Sequence, residues 1–237
     1  MKYTREYTIK YQEVDDRKRL RLYNLENYLL EVAGTVADEL GFGIAKLHPL
    51  GLTWILTRLS VEMSELPGPN EKVRFETWIE NHAHMLSTRN FRIYAGERQI
   101  GQCKSVWAIL DMEKREIVNY FDNPIFEGAV DGEVIEMDRV RMTTIPEPTG
   151  SAAHPVVYSD LDYNRHCNSC KYLEAMLNTY RPDYYGKTVR LDINYSKEVT
   201  EGDELMTHYL VTADGVQYQQ KNMAGETSCS AKITIRE

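Results

Sequence analysis

The chain has 237 residues, a formal net charge of −8, and hydrophobic and charged shares of 42% and 27%. These proportions describe a folded globular chain of one large or two small domains, and no apolar run approaches the ~20 residues that a membrane-spanning helix needs. The acidic balance argues against general affinity for nucleic acid, whose phosphates reward a basic face.

The amino terminus, "MKYTREYTIKY", is charged and alternating. It reads as a first strand over residues 3–11 and not as a secretion signal, so a cytoplasmic location is expected. Next comes "DDRKRLRL", which gathers Arg17, Lys18, Arg19 and Arg21 into a short span. Such a run is either solvated surface or a patch for an acidic partner. Leu22, Leu25, Leu29, Val32, Ala33, Val36 and Leu40 recur at spacings of mostly three and four, which predicts a helix with one apolar stripe, and Gly41 suits its carboxy-terminal cap. Strand-like segments follow at 52–63, 72–82, 86–94 and 99–110, separated by the turn signals "PGPN" and "AGER". They predict an antiparallel meander.

Pro, Gly and Ser in "NPIFEGAVDGE" and "IPEPTGSAAHP" mark a connection, which places a domain boundary near residue 145 and gives domains 1–145 and 146–237. The second half repeats the order of the first: "HPVVYSD", a helix over 169–180 that stops before Pro182, then four strand-like segments, "TVRLDINYS", "DELMTHYLVTAD", "VQYQQKNMAG" and "TSCSAKITIRE". Residues 58–79 align without gaps on 190–211, a constant offset of 190 − 58 = 132, with Arg58/Arg190, Leu59/Leu191 and Ser64/Ser196 identical. This is an internal repeat. A long helix held in a curved antiparallel sheet gives α+β layering.

Between the last connection and the second helix lies "SDLDYNRHCNSCKYLEAML", in which Asp162, Asn164 and His166 alternate. If residues 156–164 are extended, alternation sends these three side chains to a common side. Asn168 or Ser169 is then a good N-cap. A carboxylate, an amide and an imidazole beside free N–H groups at a helix start are the parts of an acyl-transfer site. Read alone, Asp162 and Asn164 more readily shape a turn, with His166 an ordinary polar side chain near a cap.

Asp162, Asn164, His166 and Asn168 followed by Lys171 and Tyr172 resemble the Asp-x-Asn-x-His-x-Asn pattern of the acyl-acyl carrier protein (acyl-ACP) thioesterases, the plant FatA and FatB type and their bacterial relatives. The resemblance spans nearly the whole chain. It implies a tandem (double) hot-dog fold of two curved antiparallel sheets, each wrapping a long helix, with a degenerate first copy holding the acyl chain and a catalytic second copy. In the first half, "VDDRKRLRLYNLENYL" keeps Asp15 but lacks the Asn and His. The resemblance adds Glu198 of "INYSKEV" as a further catalytic acid. Plant members carry a cysteine directly after that glutamate; this chain has Val199, so a cysteine nucleophile there is excluded.

The implied roles are these. His166 and Glu198 hold and deprotonate a water, or one carboxylate attacks first; Asp162 orients and tunes the imidazole; Asn164 fixes the site; and the amides of Asn168, Ser169 and Cys170 polarise the thioester carbonyl. The expected activity is hydrolysis of fatty acyl-ACP, without metal or cofactor, with Arg17, Lys18, Arg19 and Arg21 docking the acidic carrier protein and the chain a monomer or homodimer. The alternatives are an acyl-CoA thioesterase of the same fold and an acyl-thioester-binding module without activity. Two other patterns carry less: Cys167–Cys170 forms a C-x-x-C at a helix start, open to redox use, and His82 and His84 would share a strand face. For the four cysteines, Cys103, Cys167, Cys170 and Cys229, reduced thiols are expected, being too few for a disulfide framework.

Overall fold

The computed structural model describes residues 1–237. Strand β1, Tyr3–Thr8, alternates half-buried and exposed side chains as its sequence does. It ends earlier than the alternation suggests, because Lys10 N–H donates to Glu13 Oε2 at 2.7 Å and winds Tyr11–Glu13 into a 3-10 turn. Helix α1, Leu22–Glu39, buries the predicted stripe from Leu22 to Val36. Gly41 stands at φ 83° and its N–H closes on the Asp38 carbonyl, a left-handed cap that glycine adopts without a Cβ penalty. The short helix α2, Ile44–Leu47, is outside the sequence reading, since four residues show no periodicity.

Four longer strands follow: β2 (Leu52–Met63), β3 (Lys72–Ala83), β4 (Leu86–Ala95) and β5 (Arg98–Asp111), with a short β6 (Glu116–Val118). After β7 (Gly150–Pro155) and helix α3 (Ser169–Thr179) come β8 (Thr188–Tyr195), β9 (Glu204–Thr212), β10 (Gly215–Lys221) and β11 (Thr227–Arg236). The chain divides into two units: unit 1 is residues 1–59 and 66–137, unit 2 is residues 60–65 and 138–237.

Unit 1 orders its strands β1-β3-β4-β5-β2, with β6 on β5. The expected meander therefore holds for β3, β4 and β5 only; β2 lies beside β5 and not β3. The loop before β3 explains this. Ile9 N–H donates to Glu71 O and Asn70 N–H to Ile9 O, so β3 is delivered to β1, where Tyr3 faces Thr77. Unit 2 repeats the rule with β8-β11-β10-β9-β7. In its core, α3 buries Cys170, Tyr172, Leu173, Ala175 and Met176. Arg190, itself buried, pairs with Asp192 through Nε–Oδ2 at 2.8 Å and Nη2–Oδ1 at 3.0 Å, and Ser60 Oγ adds a bond to Oδ1 at 2.7 Å. A buried ion pair is tolerable because these bonds replace lost solvation.

The 132-residue offset carries β3 onto β9, since 204 − 72 = 132. The segment before each helix follows a second offset: β1 matches β7, Tyr11–Glu13 matches Tyr158–Asp160, and α1 and α3 begin at Leu22 and Ser169, each 147 apart (169 − 22 = 147). The difference is absorbed after the helices, where unit 1 has the longer α1 and the additional α2.

Candidate active site

The chain before α3 is not extended as the alternation suggests. Val157 N–H donates to Asp160 Oδ2 and winds Tyr158–Asp160 into a 3-10 turn. Leu161 and Cys167 then form a bridge, and Asp162 N–H donates to His166 O at 2.8 Å, closing a tight turn between them. Asp162 Oδ1 accepts from the backbone N–H groups of Asn164 at 2.8 Å and His166 at 3.1 Å. Arg165 takes φ 64° to complete it. The Asp162 carboxylate thus holds the backbone under His166. An Asx-type turn wins over strand alternation because the carboxylate satisfies two donors at once.

The far side of this turn docks on the chain between β8 and β9. His166 bridges to Thr200, and Cys167 N–H donates to Val199 O at 2.7 Å. That pairing brings His166 Nε2 to 3.4 Å from Glu198 Oε2, with the two side chains 25% and 33% exposed. Imidazole and carboxylate therefore face each other at ion-pair distance and are open enough to meet a ligand. Asn164 is half-buried and lends only its N–H to the turn, leaving its carboxamide available.

Of the three amides expected to face a carbonyl, two are already used. Asn168 N–H donates to Asp160 O at 2.7 Å, and Cys170 N–H donates to the Asn168 side chain at 3.1 Å as an N-cap. Ser169 N–H has no partner in the chain. It is the one donor left at this helix start for a developing oxyanion. Tyr172 Oη and Tyr195 Oη reach the carbonyls of Lys197 and Ser169, each at 3.4 Å, with their rings 5.8 Å apart. These tyrosines and Asp160 brace the site; the sequence reading used the two tyrosines only as motif positions and gave Asp160 no place. The capping distance from Val157 to Asp160, matched by Lys10 to Glu13, was the available signal for Asp160.

Unit 1 builds the same turn without the reacting groups. Asp15 Oδ1 accepts from Arg17 N–H at 2.9 Å and Arg19 N–H at 3.0 Å, Asp15 N–H donates to Arg19 O, and Lys18 takes φ 59°. Leu20 N–H donates to Pro67 O at 2.8 Å, as Cys167 does to Val199. Arg17, Arg19 and Leu66 hold the places of Asn164, His166 and Glu198, and Arg19 Nη1 reaches Leu66 O at 3.2 Å. The scaffold is duplicated; the imidazole–carboxylate pair is in unit 2 alone.

In comparison with known proteins, the two halves match separate domain models. Residues 1–125 match the family model of the acyl-ACP thioesterase N-terminal domain, and residues 147–237 match that of the C-terminal domain. The chain belongs to the acyl-ACP thioesterase family. A crystal structure of an acyl-ACP thioesterase from Bacteroides thetaiotaomicron superposes with a TM-score of 0.87 at 30% identity, covering 99% of this chain and 98% of that one. The 12:0-ACP thioesterase from Umbellularia californica shares the fold, with a TM-score of 0.87 at 17% identity over 99% and 97% of the two chains. The chloroplastic oleoyl-acyl carrier protein thioesterase of Coriandrum sativum is 22% identical over 86% of this chain. The chain spans 61% of that relative's length.

Within this acyl-ACP thioesterase family member, the remaining candidates sort by environment. Val199 is buried and offers only its carbonyl to the turn. Cys167 and Cys170 are buried free thiols, and burial pushes Cys167 up to about 12, the opposite of what dithiol redox chemistry at a helix start needs. His82 and His84 do not share a strand face: His84 sits in the β3–β4 turn at φ 56°, while the His82 ring stacks on Phe121 at 4.6 Å and is pushed down to about 4 by burial. The structure contains no group of three or more His, Cys, Asp or Glu placed to hold a metal. No helix is long and apolar enough to cross a membrane. Arg17 and Lys18 are exposed on the Asp15 turn, whereas Arg19 and Arg21 spend Nη1 on the carbonyls of Leu66 and Gln12.

Proposed function

We propose that this chain hydrolyses fatty acyl-ACP to free fatty acid and carrier protein, with the reaction confined to unit 2. The carrying observation is the His166–Glu198 approach of 3.4 Å in unit 2, set against Arg19 and Leu66 at the same places in unit 1. Pure binding of a thioester would not need an imidazole and a carboxylate facing each other. In this reading the pair takes a proton from water as its oxygen bonds to the thioester carbonyl carbon. Ser169 N–H and the Asn164 carboxamide receive the oxyanion. When the tetrahedral centre collapses, the carbon–sulfur bond breaks and the departing thiolate takes the proton back, leaving a carboxylic acid and a thiol. Asp162 acts as a positioning residue, through the His166 backbone.

The same reading makes the two units a tandem of hot-dog domains, supported by the matched turns and matched strand orders, with the acyl chain between helix and sheet of unit 1. Hydrolysis assays of ACP thioesters across chain lengths, beside the matching CoA esters, test the assignment. Turnover of the ACP esters above the CoA esters supports it; preference for CoA favours the acyl-CoA thioesterase, and no turnover of either favours a binding module.

Docking of the carrier protein is assigned to the cationic turn of unit 1. Because Arg17 and Lys18 are the exposed cations there, Arg17→Glu combined with Lys18→Glu is expected to raise KM for the protein-bound substrate by about tenfold at low salt. KM for a small thioester analogue should stay unchanged. Equal effects on both substrates would remove the docking surface.

A further inference from the structure

Unit 2 has an open cleft of about 320 Å³ between α3 and the end of β7, lined by His154, Val156, Asp160, Lys171, Ala175 and Leu205 among others. Its origin is visible in the repeat. At the corresponding place in unit 1, Tyr28 stacks on Phe75 at 5.8 Å, packs against Tyr7 at 5.0 Å, and donates its hydroxyl to Glu13 Oε2 at 2.6 Å. The 147-residue offset turns Tyr7 into His154 (154 − 7), Glu13 into Asp160 (160 − 13) and Tyr28 into Ala175 (175 − 28). Phe75 becomes Thr207 by the 132-residue offset (207 − 75). Unit 2 therefore has a flat polar ring and a carboxylate at the matching places and no phenol between them.

His154 and Asp160 present acceptors to the cleft, with Lys171 Nζ 3.6 Å from Asp160 Oδ1. Thr179 Oγ1 gives its proton to Ala175 O at 2.9 Å, so the 2.7 Å contact with His154 Nε2 places the imidazole proton on Nε2. Nδ1 is left as an acceptor, and burial holds the imidazole below its usual pKa, in the neutral form that stacks. Asp160 Oδ2 accepts from Val157 N–H, as Glu13 Oε2 accepts from Lys10 N–H while also taking the tyrosine hydroxyl. Asp160 is one methylene shorter than Glu13, which an untethered ring accommodates by sitting deeper. Val156, Ala175 and Leu205 supply an apolar floor.

We propose that this cleft binds a small phenol, whose ring occupies the volume that Tyr28 fills in unit 1, stacks on His154, and donates its hydroxyl to the Asp160 carboxylate. The cleft's volume lies at the lower end of the range of small-ligand sites. The site stands independently of the thioesterase reading, behind the turn that Asp160 O and Cys167 help to hold.

p-Cresol, the tyrosine side chain as a free molecule, is the probe. Calorimetric titration of the full chain should show saturable p-cresol binding about tenfold tighter than toluene binding, because toluene has no donor for the carboxylate. Ala175→Tyr, which restores the unit 1 packing, should abolish it, and Ala175→Leu should weaken it about tenfold or more by filling the same space. Thermal melts confirm that each variant is folded. Absence of saturable binding to the parent chain, equal affinity for toluene, or unchanged p-cresol affinity in a folded filling variant would each overturn the site.

Discussion

Replacing His166 with alanine, or Glu198 with glutamine, is expected to slow thioester hydrolysis by about a thousandfold, within the range that positioned proton transfer contributes. Stability should hardly change. Both side chains are a quarter to a third exposed and meet at 3.4 Å, and losing such a partly exposed pair costs about 1 kcal/mol or less. The two groups act on one proton, so the double variant should be about as slow as either single one and not a millionfold slower. Steady-state rates with one ACP ester, beside thermal melts of all three proteins, check both halves. Full turnover in either single variant would move the reaction away from this pair.

Asp162 and Asp15 offer a twin experiment, because each carboxylate holds two backbone N–H groups of its own turn. Asp162→Ala and Asp15→Ala should each cost about 2 kcal/mol of stability, the worth of losing charge-assisted bonds from a half-buried turn. Only Asp162→Ala should slow the chemical step, by about a hundredfold, since only that turn carries an imidazole. Asp162→Asn keeps an oxygen acceptor for the two N–H groups and should recover most of the rate. If Asp162→Asn were as slow as Asp162→Ala, the charge on the carboxylate would be acting on the His166 ring and not on its backbone.

The two units also separate inheritance from use. Arg19 lies where unit 2 has His166, and its guanidinium spans to the carbonyl of Leu66 where Glu198 would be. The geometry of the turn is thus indifferent to whether it carries chemistry. Asp15 and Asp162 are fixed by folding the turn, whereas the places of His166 and Glu198 are free to differ, so the two copies share a shape with different side chains there.

Much was legible in the sequence because it is local. The apolar stripe of α1, its end at Gly41, the bounds of β2, and the start of α3 at an Asn168 cap follow from periods of 3.6 and 2 and from capping chemistry, which depend on neighbours a few residues away. The 132-residue offset was readable for the same reason, and it already put Leu66 opposite Glu198. Tertiary structure alone decided which strands adjoin, setting β2 beside β5 and β8 beside β11. It also decided that residues 161–167 fold into a hydrogen-bonded turn, which left Ser169 N–H as the unpaired donor and carried His166 across to Glu198 through the Thr200 bridge. The opening at Ala175 was hidden likewise, since an absent phenol shows only where its former neighbours meet in space. Such contacts depend on closing long loops and on shape complementarity between distant segments, and neither leaves a periodic trace along the chain.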